Sequence, residues 1–474
     1  MEAMTAPQLA QRATGGTNPA AQDEIAAAQS LPWVCRDAIA PKIWRDGTSG
    51  APGAPAGLWV ESNGSPGCYG GWELIFPVRS QPGDAFVFEI DVKGEALARG
   101  PDALVAEAFW HDDAGALADW DPLLLDGAAP SVGGRGELLV QARFAKRLRS
   151  PAGATQLRVR CGLRWTAHGR AHWSGWRLRS APAREPRTLR LGVASRPPEG
   201  PRSLESNVAH FVAQCRLAGE AGIDLVTLPE TILSYGVGRS AGAIHAAAVP
   251  LPGPWLEPFQ DVARAYRMGI CFSVHERAGV AGEVVHNTAL LLGRDGELIG
   301  TYRKVHLAIW EARWGVTPGD EFLVYEFDDV QIGMGICMDS AAAETARILA
   351  QRGAEIMLMP IMSDFRATPW DHTQTWRPDR WQLIQRAHAF DNYLYCVVAR
   401  NRHDGSAITA PWGEILAYND GDRDLIWADV NVDDWRPHPL GASIQAVLWA
   451  MRRPAAYGSL ADAHGPVGPP AQRR

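Results

Sequence analysis

The spacing of apolar residues changes near Pro186, and this change constrains the fold more than any other feature of the chain. Before that point apolar and polar residues alternate with period two, as in Phe86–Lys93 and again in Leu157–Thr166. Clusters of polar residues, Gly and Pro, such as Ser80–Asp84, separate these stretches. This alternation predicts half-buried antiparallel strands, so we expect an all-β sandwich over residues 31–183.

The second part of the chain alternates strands with helices. Leu189–Ala194 predicts a strand, and the apolar residues within Val208–Ala218 follow helical spacing. Gly222 can end that helix, and Ile223–Leu228 predicts the next strand. The same order of strand, helix and strand returns further along. We therefore expect an α/β layered domain over residues 188–457.

Length and composition set further bounds. A chain of 474 residues exceeds the usual size of one hydrophobic core, which agrees with two domains. Residues 1–30 lack the apolar run of a secretory signal and predict a disordered tail, and residues 458–474 predict a flexible C-terminal tail.

The cysteines and the charge indicate where the protein works and with what. Seven scattered cysteines without a CxxC pair predict free thiols in a reducing compartment, which we take to be the cytoplasm. A net charge of -7, mixed along the chain, gives no reason to expect a nucleic-acid or membrane partner. No segment approaches the ~20 apolar residues that span a bilayer.

Three residues of different chemistry each stand near the end of a predicted strand: Glu230, Lys304 and Cys337. A thiol is a useful nucleophile when its thiolate is favoured or when a base takes its proton. A helix predicted over Ala341–Gln351 would lower the pKa of Cys337 through its dipole, and Glu230 could act as general base. Lys304, with the backbone N–H of Met338, would stabilise the oxyanion of a tetrahedral intermediate.

Each of these residues also has a simpler interpretation when it is considered alone. A Cys at a strand end is usually a small buried hydrophobe. A Glu after Pro often caps a helix, and a Lys beside an Arg usually lies on a solvated surface.

Four blocks of sequence, taken in order, carry a more specific signal. They are Ala218–Glu230; Tyr302–Leu307 followed by Glu311 and Trp314–Gly319; Ile332–Asp339 followed by Glu344, Arg347 and Gly353–Glu355; and Arg386–Asn392. Together these blocks resemble the carbon–nitrogen hydrolase (nitrilase/amidase) superfamily, from about residue 190 to residue 433.

The resemblance implies a fold and a chemistry. It implies a four-layer α-β-β-α sandwich, a catalytic triad of Glu230, Lys304 and Cys337, a covalent thioester intermediate, and no metal or organic cofactor. Glu311 matches a second carboxylate that positions the substrate or the attacking water. Members are usually dimers or larger, so the resemblance also implies a homo-oligomer.

The resemblance limits the substrate to a few classes of carbon–nitrogen compound but does not choose among them. Met338 stands where relatives often have an aromatic residue, and Asp339–Glu344 lacks the Phe-Pro or Tyr-Pro common before the Glu. Our hypothesis is a linear amidase that converts a small-molecule amide into a carboxylic acid and ammonia or an amine. A nitrilase or an N-carbamoyl hydrolase is the alternative: Cys-Met-Asp favours amidases, whereas the short spacing from Lys304 to Glu311 also occurs in nitrilase-like members.

Some residues receive a role only through their position. Trp310, Trp370 and Trp376 are predicted to line the substrate pocket and would suit an aromatic or bulky acyl group, although core or interface packing explains them equally well. Asp339 is interpreted as a helix N-cap near Glu344 or Arg347.

The Trp-rich N-terminal domain suggests a second kind of partner. Gly70–Trp72 and Trp173–Trp176 resemble carbohydrate-binding jelly rolls, in which aromatic faces stack on sugar rings. Core packing accounts for most of these Trp, and a packing or oligomerisation module, or a cap over the active-site mouth, is favoured over a glycan. An alternative of another class is a catalytically silent protein that binds a glycan or another partner, against which the intact triad argues.

Overall fold

The computed structural model describes most of the chain. The described residues are 24–46, 57–78, 84–114, 120–122, 124–126, 131–132, 138–151, 153–182, 185–200, 202–238, 240–362, 377–402, 404–433, 452–453 and 456–457. The chain divides into two compact units, one of Met1–Arg184 with Trp435–Arg474 and one of Glu185–Asp434.

The first unit is built from strands in two antiparallel sheets. The strands are β1 (Glu24–Ile25), β2 (Gln29–Val34), β3 (Lys42–Arg45), β4 (Leu58–Glu61), β5 (Tyr69–Pro77), β6 (Ala85–Glu95), β7 (Leu104–His111), β8 (Trp120–Pro122), β9 (Leu124–Asp126), β10 (Ser131–Val132), β11 (Leu138–Arg149), β12 (Gln156–Arg164) and β13 (Arg170–Ala181). One sheet has the order β10-β11-β6-β13-β4-β3, with β1 beside β13 and β9 beside β11. The other has the order β2-β5-β12-β7-β8. Short 3-10 helices span Asp37–Ile39 and Gly100–Ala103.

The core of this unit lies between its two sheets. Phe88 and Ile90 of β6 share one apolar cluster with Leu157 and Val159 of β12, and all four are fully buried. These are the residues that the period-two alternation assigned to the inner faces, so the all-β prediction agrees with the structure.

The boundaries of the units differ from the predicted ones. The predicted disordered tail over 1–30 is wrong for residues 24–30, because β1 pairs with β13 and Ile25 packs against the core. Residues 1–23 and 458–474 lie outside the described residues. The second unit ends at Asp434 and not at 457, and Arg453 lies over the ring of Trp165 in the first unit, 4.9 Å from its centroid.

The second unit combines two sheets with helices. Its strands are β14 (Thr188–Ala194), β15 (Leu225–Thr227), β16 (Val249–Pro250), β17 (Gly269–Ala278), β18 (Val284–Leu292), β19 (Leu298–Arg303), β20 (Val324–Phe327), β21 (Val330–Met334), β22 (Ile356–Ile361), β23 (Tyr395–Arg400), β24 (Asp404–Thr409), β25 (Ile415–Asp420) and β26 (Leu425–Asn431). Its α-helices are α1 (Leu204–Glu220), α2 (Ala241–Ala247), α3 (Glu257–Tyr266), α4 (Ile309–Arg313), α5 (Ala343–Gln351) and α6 (Pro378–Asn392). Its 3-10 helices are Ile232–Ser234, Pro254–Leu256 and Cys337–Ala341.

The two sheets of the second unit share an apolar core. One sheet has the order β19-β18-β17-β15-β14-β26, with β16 beside β17, and the other runs β20-β21-β22-β23-β24-β25. Leu191 and Leu225 of the first sheet belong to one buried cluster with Ile332 and Ile356 of the second. A separate cluster joins α1 and α3 to the first sheet, with Phe211 among its fully buried members. The predicted α/β class is therefore present.

The first crossover shows how local sequence sets these elements. Ser203 caps α1 by accepting a hydrogen bond from the Ser206 backbone N–H, and the Ser206 hydroxyl accepts one in return from the Ser203 N–H. Beyond the other end of α1, Gly222 adopts a φ of 70°, a conformation that glycine reaches without strain. The helix therefore ends where the sequence predicts.

Within the described part of the chain, no helix has both the length and the apolar character needed to cross a membrane.

Candidate active site

The three residues predicted to be catalytic all lie just beyond the C-terminal ends of strands. Glu230 comes after β15 and Lys304 directly after β19, both in the first sheet of the second unit, whereas Cys337 comes after β21 in the second sheet. Because the inner faces of these sheets share one core, side chains at their ends can meet at its edge.

Lys304 lies between two carboxylates. Its Nζ donates to Oε1 of Glu230 at 2.8 Å and to Oε2 of Glu311 at 2.7 Å. The Lys304 side chain is only 1% exposed, and the two carboxylates are also buried. An ammonium has three N–H groups, and the third finds no acceptor in the part of the chain that the structure describes. That third N–H is available to an oxygen of a substrate.

The charges of this cluster hold one another ionised. Burial opposes the charge of Lys304, but the charges of Glu230 and Glu311, with the hydrogen bond to Glu230, favour it, and the pKa of the ammonium is raised. Burial also opposes ionisation of Glu311. The charge and hydrogen bond of Lys304, with a further hydrogen bond from Asn287, nevertheless lower the pKa of that carboxyl.

Asn287 in β18 connects the two carboxylates. Its Nδ2 donates to Oε1 of Glu230 and to Oε1 of Glu311, both at 2.8 Å. Its backbone carbonyl accepts the N–H of Lys304 at 2.8 Å. Asn287 is not among the site residues that the sequence predicts. The signal that could have found it is an amide within a buried strand, where a polar side chain requires hydrogen-bond partners.

The two oxygens of Glu230 have different surroundings. Oε1 already accepts from Lys304 and Asn287, whereas Oε2, among the residues that the structure describes, accepts only from the backbone N–H of Met362, at 2.8 Å. That N–H also interacts with Cys337 and favours its thiolate. Among the described contacts, Oε2 is therefore the oxygen of Glu230 with room to accept a proton, and it shares a donor with the thiol.

Cys337 adopts a backbone conformation that is rare for a residue with a side chain. Its φ is 44°, in the left-handed region, at the start of the 3-10 helix Cys337–Ala341. Such conformations cost on the order of 1–3 kcal/mol and persist only where the surrounding structure imposes them. The turn leaves the thiol half-buried.

The thiol is protonated in the resting site. Burial raises the pKa of Cys337, and Glu230 raises it further, while Lys304 and the Met362 N–H lower it without reversing the shift. The expected lowering by a helix N-terminus remains a prediction, and the causes named here raise the pKa overall. Because the thiol holds its proton at neutral pH, a base must take that proton before the sulfur can attack.

Asp339 fixes the turn that carries Cys337. Its Oδ2 accepts the N–H of Ile336 and the hydroxyl of Tyr302, each at 2.8 Å. Its Oδ1 accepts the N–H of His306 at 3.0 Å and pairs with Nδ1 of the same residue at 2.8 Å. The prediction that Asp339 is a helix N-cap is therefore wrong: Asp339 is the third residue of the 3-10 helix and accepts the N–H of Ile336, which is the N-cap. Its other side-chain partners come from β19 and the residues that follow it.

His306 gives the site a testable pH dependence. The hydrogen bond that Nδ1 of His306 donates to Asp339 raises the pKa of His306 above its ordinary value, with burial opposing and the Asp339 charge assisting. The stabilisation from a raised pKa is complete below about pH 6.5, the unfolded-state value, and is lost as the pH rises through the folded-state pKa. We therefore expect wild type to melt higher than His306→Asn at pH 5.5, by a margin that shrinks by pH 8.5.

The Asn variant keeps an N–H donor near the position of Nδ1 and carries no charge, so it isolates the charge of His306. Thermal unfolding of both proteins from pH 5 to 9 gives the comparison. A margin that does not change with pH would contradict the assignment of a charged His306.

Of the other predicted site residues, the structure describes Met338 and Trp310 but not Trp370 and Trp376. Met338 is the second residue of the 3-10 helix, where backbone N–H groups lack acceptors within the helix. Trp310 is 56% exposed on α4 and stacks against Trp314, with centroids 6.5 Å apart, while Glu311 of the same helix points inward. Trp370 and Trp376 lie outside the described residues, so the pocket prediction remains a prediction.

The Trp residues of the first unit pack mainly against protein. Trp72 and Trp173 are core residues. Trp59 stacks against Trp44 with ring centroids 5.7 Å apart and also contacts His172, which is tilted, at 4.7 Å. These contacts show that the ring of Trp59 packs against other side chains of the first unit.

Comparison with known proteins shows the family of the chain. The carbon–nitrogen hydrolase family model matches residues 192–439, just over half of the chain. Omega-amidase NIT2 of Homo sapiens is 30% identical over 247 residues, covering 48% of this chain and 83% of the human protein. A probable nitrilase of Schizosaccharomyces pombe is 29% identical over 225 residues, covering 45% of this chain and 78% of the yeast protein.

Solved structures align with about half of the chain. An amidase from Nesterenkonia sp. aligns with a TM-score of 0.42 and 22% identity over 52% of this chain and 93% of its own. Nit3 of Saccharomyces cerevisiae aligns with a TM-score of 0.44 and 21% identity over 52% and 90%. By the family match and the human relative, this chain belongs to the carbon–nitrogen hydrolase family and is a carbon–nitrogen hydrolase.

Proposed function

We propose that this hydrolase is an amidase that cleaves linear carboxamides to a carboxylic acid and ammonia or an amine. The observation that carries the proposal is the pairing of Lys304 with both Glu230 and Glu311, which leaves one ammonium N–H for a substrate oxygen. Relatives named omega-amidase support an amide as the substrate.

In the acylation step Oε2 of Glu230 takes the proton of the Cys337 thiol, and Sγ forms a bond to the amide carbon. The carbonyl electron pair moves to oxygen, where the free N–H of Lys304 and the backbone N–H of Met338 stabilise the negative charge. Glu230 returns the proton to the amide nitrogen as the carbon–nitrogen bond breaks. Ammonia or an amine leaves, and the acyl group remains on Cys337 as a thioester.

In the deacylation step a water molecule gives a proton to Glu230 and attacks the thioester carbon. The same two donors stabilise the second tetrahedral intermediate. When it collapses, the carbon–sulfur bond breaks, the acid leaves, and Sγ regains the proton. Glu311, held by Lys304 and Asn287, orients the substrate or the water in this proposal.

The proposal extends to architecture and assembly. A four-layer α-β-β-α sandwich is supported by the apolar cluster between the sheets and by the cluster that joins α1 and α3 to one of them. A homo-oligomer is supported by large apolar side chains exposed on α6, Leu383 and Phe390. A cytoplasmic location is supported by the free cysteines. The proposed reaction steps use protein groups and call for no cofactor.

A mass measurement tests the reaction directly. The protein is mixed with a panel of amides and the matching nitriles, and intact mass and ammonia release are followed. We expect an acyl adduct on Cys337 with amides, loss of adduct and turnover in Cys337→Ala, and no change in Cys35→Ala, which removes an exposed thiol outside this cluster. Turnover of nitriles in preference to amides would favour the nitrilase alternative. Absence of adduct and turnover across the panel would contradict the amidase proposal.

A further inference from the structure

A buried histidine that the proposed steps do not use lies beside the catalytic cluster. His275 in β17 is the direct cross-strand partner of Asn287 in β18. Partners of this kind point their side chains to the same face of a sheet, with Cβ atoms about 4.5–5.5 Å apart. The His275 imidazole therefore lies next to the amide that joins Glu230 to Glu311.

One nitrogen of this ring has a fixed partner. Nδ1 of His275 lies 2.7 Å from the hydroxyl of Ser234, and both residues are buried. Ser234 ends the 3-10 helix that begins two residues after Glu230. Within the part of the chain that the structure describes, Nε2 of His275 has no hydrogen-bond partner. The hydroxyl thus fixes the ring through Nδ1, and Nε2 is the nitrogen whose hydrogen-bonding capacity is unused by the described residues.

The ring is uncharged at neutral pH. Burial lowers the pKa of His275 to about 4, while the Glu311 charge opposes this shift and the Lys304 charge assists it. Among the described residues, Glu311 and Lys304 are the charged groups that shift the pKa of this imidazole. A neutral imidazole forms a hydrogen bond with an uncharged polar group without having to compensate a charge.

The surrounding charges also disfavour an anionic ligand at this position. Glu230 and Glu311 are two buried carboxylates, and Lys304 already donates to both. In the proposed reaction its remaining N–H is used by the oxyanion. A carboxylate on the substrate beside His275 would meet two like charges and no unused cation of this cluster.

We infer that His275 is a specificity-determining residue, whose Nε2 binds an uncharged hydrogen-bonding group, such as a hydroxyl, on the acyl chain of the amide substrate. The inference rests on the proposed amidase function. In a primary amide the leaving group is only ammonia, so a group that reaches His275 must belong to the acyl chain. Ser234 is the positioning residue that holds the ring.

The test compares primary amides of equal acyl-chain length that end in a hydroxyl, a methyl or a carboxylate, over a series of lengths. For wild type we expect kcat/KM for the best hydroxyl amide to exceed that of its methyl and carboxylate counterparts by about tenfold, the size of one hydrogen bond. His275→Asn retains a polar group near Nδ1 and loses Nε2, so its preference for hydroxyl over methyl should disappear through KM. His275→Gln places an amide near Nε2 and should retain most of the preference.

The controls separate this role from a purely structural one. Thermal unfolding identifies variants that do not fold, and if His275→Asn is one of them, Ser234→Ala tests the same point by freeing the ring. It should raise KM for the hydroxyl amide more than KM for the methyl amide, which lowers the preference between them. Equal losses on all amides, or a wild-type preference for the carboxylate, would overturn the inference and leave the amidase proposal standing. Absence of hydrolysis with every amide would overturn the amidase proposal and the inference together.

Discussion

Replacing Lys304 by methionine is expected to lower kcat/KM for amides by about a hundredfold to a thousandfold, the usual effect of removing one oxyanion donor. The third N–H of Lys304 is the charged donor that remains for the developing oxyanion once Glu230 and Glu311 have taken the other two. Methionine is similar in length and apolar, so it removes the donor with little change in volume. Steady-state kinetics with the preferred amide measure the loss.

The same substitution is expected to destabilise the second unit. Two buried carboxylates would face each other without their common cation, and breaking a buried ion pair typically costs about 3–5 kcal/mol. In wild type the lowered pKa of Glu311 contributes stability at neutral pH, which is lost as the pH falls through that pKa. In Lys304→Met this stabilisation is absent, so the stability gap to wild type should narrow as the pH falls.

Two variants control this prediction. The double variant Lys304→Met with Glu311→Gln should recover part of the melting temperature but none of the activity, because it removes the repulsion and not the need for a donor. Lys42→Met changes an exposed lysine of the first unit and should leave both quantities unchanged. Wild-type kcat/KM in Lys304→Met would show that another group stabilises the oxyanion.

The sequence predicts which residues form the catalytic cluster better than it predicts whether their side chains are ionised. Glu230, Lys304 and Cys337 are identifiable because each follows a buried strand within a block that resembles one family. Their ionisation depends on burial and on one another, which the sequence does not display. The raised pKa of Cys337 follows from its burial and from Glu230, which is 107 positions away in the chain.

Two residues of the catalytic cluster, Met362 and Asn287, cannot be predicted from the sequence, for different reasons. Met362 acts through its backbone N–H, a group present in every residue except proline, so its identity carries no signal. Asn287 is a single amide on a buried strand, and its importance depends on which carboxylates lie opposite. Likewise, the sequence predicts a disordered N-terminal tail where β1 lies, because the strand that pairs with β1 is β13, far along the chain. Long-range pairing decided these features, and local pattern cannot show it.

Replacing Asp339 by asparagine is expected to lower both stability and kcat, because four donors converge on this carboxylate. Ile336 and Tyr302 donate to one oxygen, and the backbone N–H and Nδ1 of His306 lie at the other. An amide offers one oxygen and one NH2 group, so in either orientation one pair of donors faces another donor. Each buried group left unpaired costs about 1–3 kcal/mol, and we expect a loss of several kcal/mol in the free energy of unfolding.

The effect on kcat follows from the strained turn at Cys337, because Asp339 holds the N–H of Ile336 directly before it. If that turn relaxes, the thiol leaves its position beside Glu230, and kcat should fall at least tenfold with KM little changed. The rate at which iodoacetamide alkylates Cys337 should fall in parallel, and this readout does not depend on Lys304 binding a substrate oxygen. Asp424→Asn, at an exposed ion pair with Arg196, is the matched control and should change neither quantity. A lowered melting temperature with unchanged kcat and alkylation rate would show that Asp339 supports the fold without positioning the nucleophile.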